Sequence, residues 1–112
     1  MRAFDAGKFS NTLGYYARYF TAQAFEKLAE AEYKLASDQA KGMGRAVTML
    51  KITSAKYEEA KPFATIIGGA YNANFVKKYD DLIALRTKAI EENNTIYYEE
   101  EADVAAVPKP EP

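Results

Sequence analysis

The strongest constraint in this sequence is a proline-free stretch, residues 10–39, SNTLGYYARYFTAQAFEKLAEAEYKLASDQ, whose only glycine is Gly14. Ala, Leu, Glu, Lys and Gln fill most of the remainder, and these residues lose little side-chain freedom in a helix. At about 100° per residue, Leu13, Tyr16, Ala17, Phe20, Ala24, Leu28, Ala31 and Leu35 share one side of the cylinder. Tyr15, Tyr19, Ala22, Phe25, Ala29, Tyr33 and Ala36 share nearly the opposite side. Gln23, Glu26, Lys27, Glu30 and Lys34 mostly lie between them. A surface helix needs one apolar stripe, and this one has two. The spacing therefore predicts neighbours on both sides, as in the middle layer of a stacked helical array. The rest of the chain is enough to cover one side well. The expectation is that one side meets the later helices, while Tyr15, Tyr19, Ala22, Phe25, Ala29 and Tyr33 dock another chain.

The 112 residues allow one small domain with a modest core. With 48% hydrophobic and 28% charged residues the chain is globular in composition, not disordered. A net charge of −1 without a basic block argues against a nucleic-acid or anionic-membrane surface. The chain has no cysteine, which removes disulfides, thiolate metal sites and cysteine nucleophiles. It also has no histidine, the commonest general base and zinc ligand. The start, MRAFDAGKF, lacks the apolar run of a secretory signal, and no stretch is long enough to span a bilayer. The expected location is cytoplasmic.

Residues 1–8 read as an irregular lead-in, with Gly7 as a breaker and Ser10 or Asn11 as N-cap. Gly42 and Gly44 supply the turn that ends the long helix. A short connection then implies an antiparallel neighbour. The second helix, residues 45–60, places Val47, Leu50, Ser54 and Tyr57 on one face and stops at Lys61 and Pro62. Residues 62–72 read as a loop with one helical turn near residues 63–67. A third helix starts after Asn72 or Asn74 and runs to Glu92, burying Phe75, Val76, Tyr79, Leu82, Ile83, Arg86 and Ile90. Asn93 and Asn94 stop it. Residues 1–95 thus form the helical module, and residues 96–112 an extended acidic and proline-containing tail.

No catalytic apparatus is recognisable. Adjacent carboxylates at Glu58 and Glu59, Asp80 and Asp81, Glu91 and Glu92, and Glu99 to Glu101 diverge along a helix, whereas an acid–base pair must converge on a cleft. A di-metal carboxylate bundle wants Glu-x-x-His. The glycines match no phosphate-cradling motif. Nine Tyr and six Phe sit mostly at core spacing without interleaved basic residues, which favours packing over base stacking. No cofactor or metal site is expected. Tyr97 and Tyr98, after a helix stop and before three glutamates, suit a tyrosine kinase. The competing reading is that Tyr97 simply packs on the last helix.

The order of these features resembles the C-terminal third of the BRO domain, the helical module of ALIX-like proteins in endosomal sorting. The residues that carry the resemblance are YFTAQAFEKLAEAEYKLA at 19–36, then KGMGRAVTMLKIT with Lys41, Gly44, Val47 and Leu50. NNTIYYEE follows, with Asn93, Ile96 and Tyr97 ahead of Val107, Pro108, Lys109 and Pro110. BRO domains are several times longer, and the helix bearing their main patch for ESCRT-III subunits precedes the stretch matched here. No residue of this chain inherits that patch. The resemblance implies a non-catalytic scaffold or adaptor in ESCRT-linked sorting, endosome-associated, with ESCRT-III subunits as partners. It also implies that Tyr97 matches a tyrosine reported as a kinase target in some members.

The expected fold is all-α: three antiparallel helices in a tetratricopeptide-like stacked array with an extended C-terminal tail. A second reading is a structural helical oligomer or truncated product without a sorting partner. Self-association is expected wherever one face of the long helix stays uncovered.

Overall fold

A computed structural model describes residues 6–110, which form three helices and a docked tail with no strand among the described residues. Helix α1 spans Ala6–Gln39, α2 Met43–Ile67 and α3 Gly69–Glu92. α1 begins ahead of both expected caps: Gly7, Ser10 and Asn11 all lie inside it. A lone glycine's helix penalty of about 1 kcal/mol does not break the run. Of the irregular lead-in expected at residues 1–8, residues 6–8 are helical instead, and residues 1–5 lie outside the described residues.

The α1–α2 connection turns through left-handed backbone at Ala40 (φ 58°) and Gly42 (φ 94°). Neither expected glycine ends α1: the helix stops at Gln39 and Ala40 takes the left-handed step, while Gly42 is the residue that opens α2 and Gly44 belongs to its first turn.

α2 continues through Pro62 to Ile67, where a stop at residue 60 and a loop after it were expected. Proline removes one helical hydrogen bond, but here the next residue offsets the loss. Phe63 lies flat over Gly14 of α1, where an added Cβ would come within 2.6 Å of its ring. The Arg18 guanidinium covers the same ring at 4.3 Å from its centroid. Ala60 and Ala64, both fully buried, bring these two turns into the core. Pro62 itself stays exposed.

Gly68 alone (φ 71°, ψ −163°) separates α2 from α3, and its amide donates to the Ala64 carbonyl at 2.8 Å. No L-residue adopts that conformation readily, so this glycine is the hinge of the whole second hairpin.

Contacts fix the directions. Glu26 and Glu32 of α1 meet Tyr57 and Arg45 of α2, and Ser54 of α2 meets Arg86 of α3. Tyr16 and Tyr33 of α1 meet Tyr71 and Glu92 of α3. α1 and α3 thus run parallel, and α2 runs against both as the central helix. The long helix was expected in that central position. α2 takes it because it carries nearly unbroken buried surface from Met43 to Leu50, while α1 has one face covered and one open.

The core is a line of rings. Tyr15 and Tyr19 stack at 5.3 Å, Tyr19 meets Tyr57 edge-on at 6.0 Å, and Phe75 and then Tyr79 continue across α3. On α3, Phe75, Leu82 and Ala89 are fully buried, while Tyr79, Ile83, Arg86 and Ile90 are half-buried. Val76 was expected inside but is exposed, one step round the helix from the buried line.

Candidate interaction surfaces

The side of α1 carrying Tyr15, Tyr19, Ala22, Phe25, Ala29 and Tyr33 faces the molecule's own core, not a docking partner as expected. Tyr15, Tyr19, Ala22 and Ala29 are buried. Phe25 is half-buried under the Lys56 ammonium at 5.3 Å, and Tyr33 donates to Glu92 Oε1 at 2.6 Å. Ala22, Ala29 and Ala36, spaced by seven, bring α2 close, because a small side chain lets two helix axes approach.

The opposite side is open. Leu13 is 54% exposed, Phe20 58% and Leu35 47%. Tyr16 is partly exposed and stacks on Phe20 at 5.5 Å. Ala17 and Ala31 are exposed between them, with Ala24 half-exposed. An apolar stripe along a helix of 34 residues is thus left uncovered. Beside its N-terminal half opens a cleft of about 220 Å³ lined by Tyr15, Tyr16, Tyr19, Ala70, Tyr71 and Asn74. The buried Tyr15 hydroxyl has no hydrogen-bond partner there. Burial first, and the neighbouring Tyr19 second, raise its pKa.

The second surface is the docked tail. α3 passes into a π-helical turn, Asn93–Tyr97, that ends at Tyr98 in left-handed backbone (φ 54°). α3 ends at Glu92 with Asn93 as its cap, as expected, and the Asn93 side chain also clasps the returning chain. Its amide donates to the Glu99 carbonyl at 2.8 Å, and its carbonyl oxygen accepts the Glu99 amide at 3.1 Å. The Glu99 carboxylate then accepts the Gly42 amide at 2.9 Å and the Gly44 amide at 3.3 Å.

α2 has no side-chain cap of its own. A carboxylate from 57 residues away supplies it, with the favourable sign for a helix N-terminus. Gly44 makes room for this, since a Cβ there would collide with the Glu100 carbonyl. Further along, the Thr48 hydroxyl donates to the Ala102 carbonyl at 2.8 Å, Lys51 pairs with Glu101 at 2.8 Å, and Val107 is buried.

Within this clasp Tyr97 is half-buried against the core, whereas Tyr98 is 75% exposed. Adjacent tyrosines thus have opposite access.

The carboxylates do not converge. Tyr57 donates to Glu26 at 2.8 Å and Tyr79 to Glu58 at 2.9 Å, so each carboxylate is engaged by a separate phenol. Burial and then the facing carboxylate push Tyr33 up to about 12 and raise Tyr57 and Tyr79. Among the described residues no group of three or more acidic side chains is placed to hold a metal ion. No helix among them is long and apolar enough to cross a membrane. Comparison with family models, with curated proteins and with solved structures finds no match to this chain.

The capping role of Glu99 and the clearance at Gly44 have no local sequence signal, because both arise from a contact between the α1–α2 turn and the tail. The choice of α1's outer face did have one. Tyr15, Ala22, Ala29 and Ala36 form an unbroken apolar series at sevenfold spacing. The series from Leu13 and Phe20 ends in Lys27 and Lys34, and that from Ala17, Ala24 and Ala31 ends in Asp38.

Proposed function

We propose that this chain is a non-catalytic interaction module that works as an adaptor by docking helices on the outer face of α1. The observation that carries the reading is that face: Leu13, Phe20 and Leu35 are about half exposed or more along one line of a long helix. Exposed leucine and phenylalanine in register are the groups an amphipathic helix buries when it docks. The setting is ESCRT-linked sorting at the endosome, on the strength of the resemblance through Lys41, Gly44, Val47, Leu50, Asn93, Ile96 and Tyr97. The partner is then the amphipathic C-terminal helix of an ESCRT-III subunit. It meets α1 here, because the family's main patch has no counterpart in this chain.

The tail supplies regulation. Phosphorylation of Tyr98 adds roughly −1.5 to −2 charge beside Glu99, Glu100 and Glu101. That weakens the seat of Glu99 on α2 and loosens the tail. Tyr97 reaches a kinase only after the π turn opens.

The test is fluorescence anisotropy with labelled C-terminal helices of ESCRT-III subunits and the full chain. The reading expects micromolar binding by at least one helix, weakened tenfold or more by Phe20→Glu. No binding by any of them sinks the sorting role and leaves the structural oligomer.

A further inference from the structure

We propose that the outer face of α1 pairs antiparallel with the same face of a second copy, with Ala24 on the two-fold axis. This deepens the reading of that face as a docking surface, and rests on it. The second copy is its resting occupant, which a helical partner must displace.

The sequence of the face is self-complementary when reversed about Ala24. Leu13 then meets Leu35 of the partner copy and Ala17 meets Ala31, while Phe20 falls opposite Leu28, which is already half-buried against its own core; each pair is equidistant from Ala24. Ala17, Ala24 and Ala31 repeat on this side the sevenfold alanine spacing with which Ala22, Ala29 and Ala36 seat α2. The aromatic rings of the face, Tyr16 and Phe20, lie in its N-terminal half, and its cations, Lys27 and Lys34, in the C-terminal half. Reversal sets Lys27 beside Phe20 of the partner copy and Lys34 within reach of the partner copy's Tyr16, both cation–π pairs.

The charges that stay on this face are Lys27, Lys34 and Asp38, because Arg18 covers Phe63 and Glu26 and Glu32 are engaged by Tyr57 and Arg45 of α2. Reversal brings Asp38 towards the positive end of the partner's helix dipole. Parallel pairing would instead set Lys27 against Lys27 and Asp38 against Asp38.

The area agrees with a reversible dimer. A helix of this length is about 50 Å long and about 10 Å wide at 1.5 Å per residue. Roughly 500 Å² per copy, or roughly 1,000 Å² in all, lies at the lower edge of specific interfaces.

Because the chain lacks cysteine, single-cysteine variants of the full chain test the register directly. Under mild oxidation Ala24→Cys is expected to form disulfide dimers at least tenfold faster than Ala84→Cys, an exposed control on α3. Leu13→Cys and Leu35→Cys are each expected to cross-link slowly alone and rapidly when mixed. Equal rates for Ala24→Cys and Ala84→Cys overturn the proposal. So does Leu13→Cys linking to itself as fast as to Leu35→Cys, which would mean parallel pairing. Binding of an ESCRT-III helix by a chain that fails these tests leaves the adaptor reading standing without the dimer. Cross-linking in register without helix binding leaves the dimer standing alone.

Discussion

The two faces of α1 are made of the same kinds of residue, yet only one is inside. The inner face has Tyr15 and Tyr19 followed by Ala22, Ala29 and Ala36, all buried. The outer face has Tyr16 and Phe20 followed by Ala24, Ala31 and Leu35, all at least partly accessible. Hydrophobicity alone does not choose between them. The choice falls to the face whose apolar series runs uninterrupted, because a charge at its centre would lose its water on burial. Lys27, Lys34 and Asp38 interrupt the outer series, and that face stays accessible.

Truncation should break the symmetry most sharply. Tyr15→Ala removes a buried ring from the wall of the cleft and is expected to cost about 3–5 kcal/mol in urea unfolding, as large aromatic deletions do. Leu13→Ala, on the outer face, is expected to stay within about 0.5 kcal/mol in the same assay below the association range. Enlargement gives the next contrast. Ala29→Leu overpacks the α1–α2 seat at a cost of about 1–3 kcal/mol, while Ala31→Leu leaves the melting curve of dilute protein unchanged.

The tail gives a smaller effect of the same type, between neighbours of equal charge. Glu99→Gln removes an anion from the α2 N-terminus and is expected to cost about 1 kcal/mol, with faster proteolysis after residue 99. Glu100→Gln, which is exposed, should change neither.

The smallest contrast is in pH. Tyr33 holds its proton more tightly folded, near 12, than at its ordinary value of 10.0. Its contribution is therefore complete below about pH 10 and lost as pH climbs towards 12. A spectrophotometric titration should show a late-ionising class containing Tyr33, Tyr57 and Tyr79. Tyr33→Phe should remove one member of it.

Much of this architecture was legible in the chain, and the illegible parts share a cause. Helix content, the number of helices and the two-faced nature of α1 follow from propensity and a 3.6-residue period, which are local. Pro62 misleads because the compensation comes from Phe63 lying on Gly14, a contact between distant segments. Gly68 was visible as a breaker, but not that one residue would suffice for the whole turn. The tail was visible as acidic, but its extended reading missed the π turn through Tyr97 and the 3-10 turn at Val104–Ala106. That Glu99 would cap α2 depends on Asn93 holding the return at the right place, which no period encodes. The buried face of α1 was assigned to the wrong side because both faces were weighed by hydrophobicity alone, although the unbroken series Tyr15, Ala22, Ala29 and Ala36 marks the inner one.

The most direct test of the account is sedimentation velocity on the full chain over a dilution series, with Phe20→Glu alongside. The account expects a species of twice the monomer mass that dissociates on dilution through the micromolar range, and a Phe20→Glu chain that is equally helical but monomeric. A wild-type chain that is folded and stays monomeric up to about 200 µM would show that the outer face of α1 does not pair with itself.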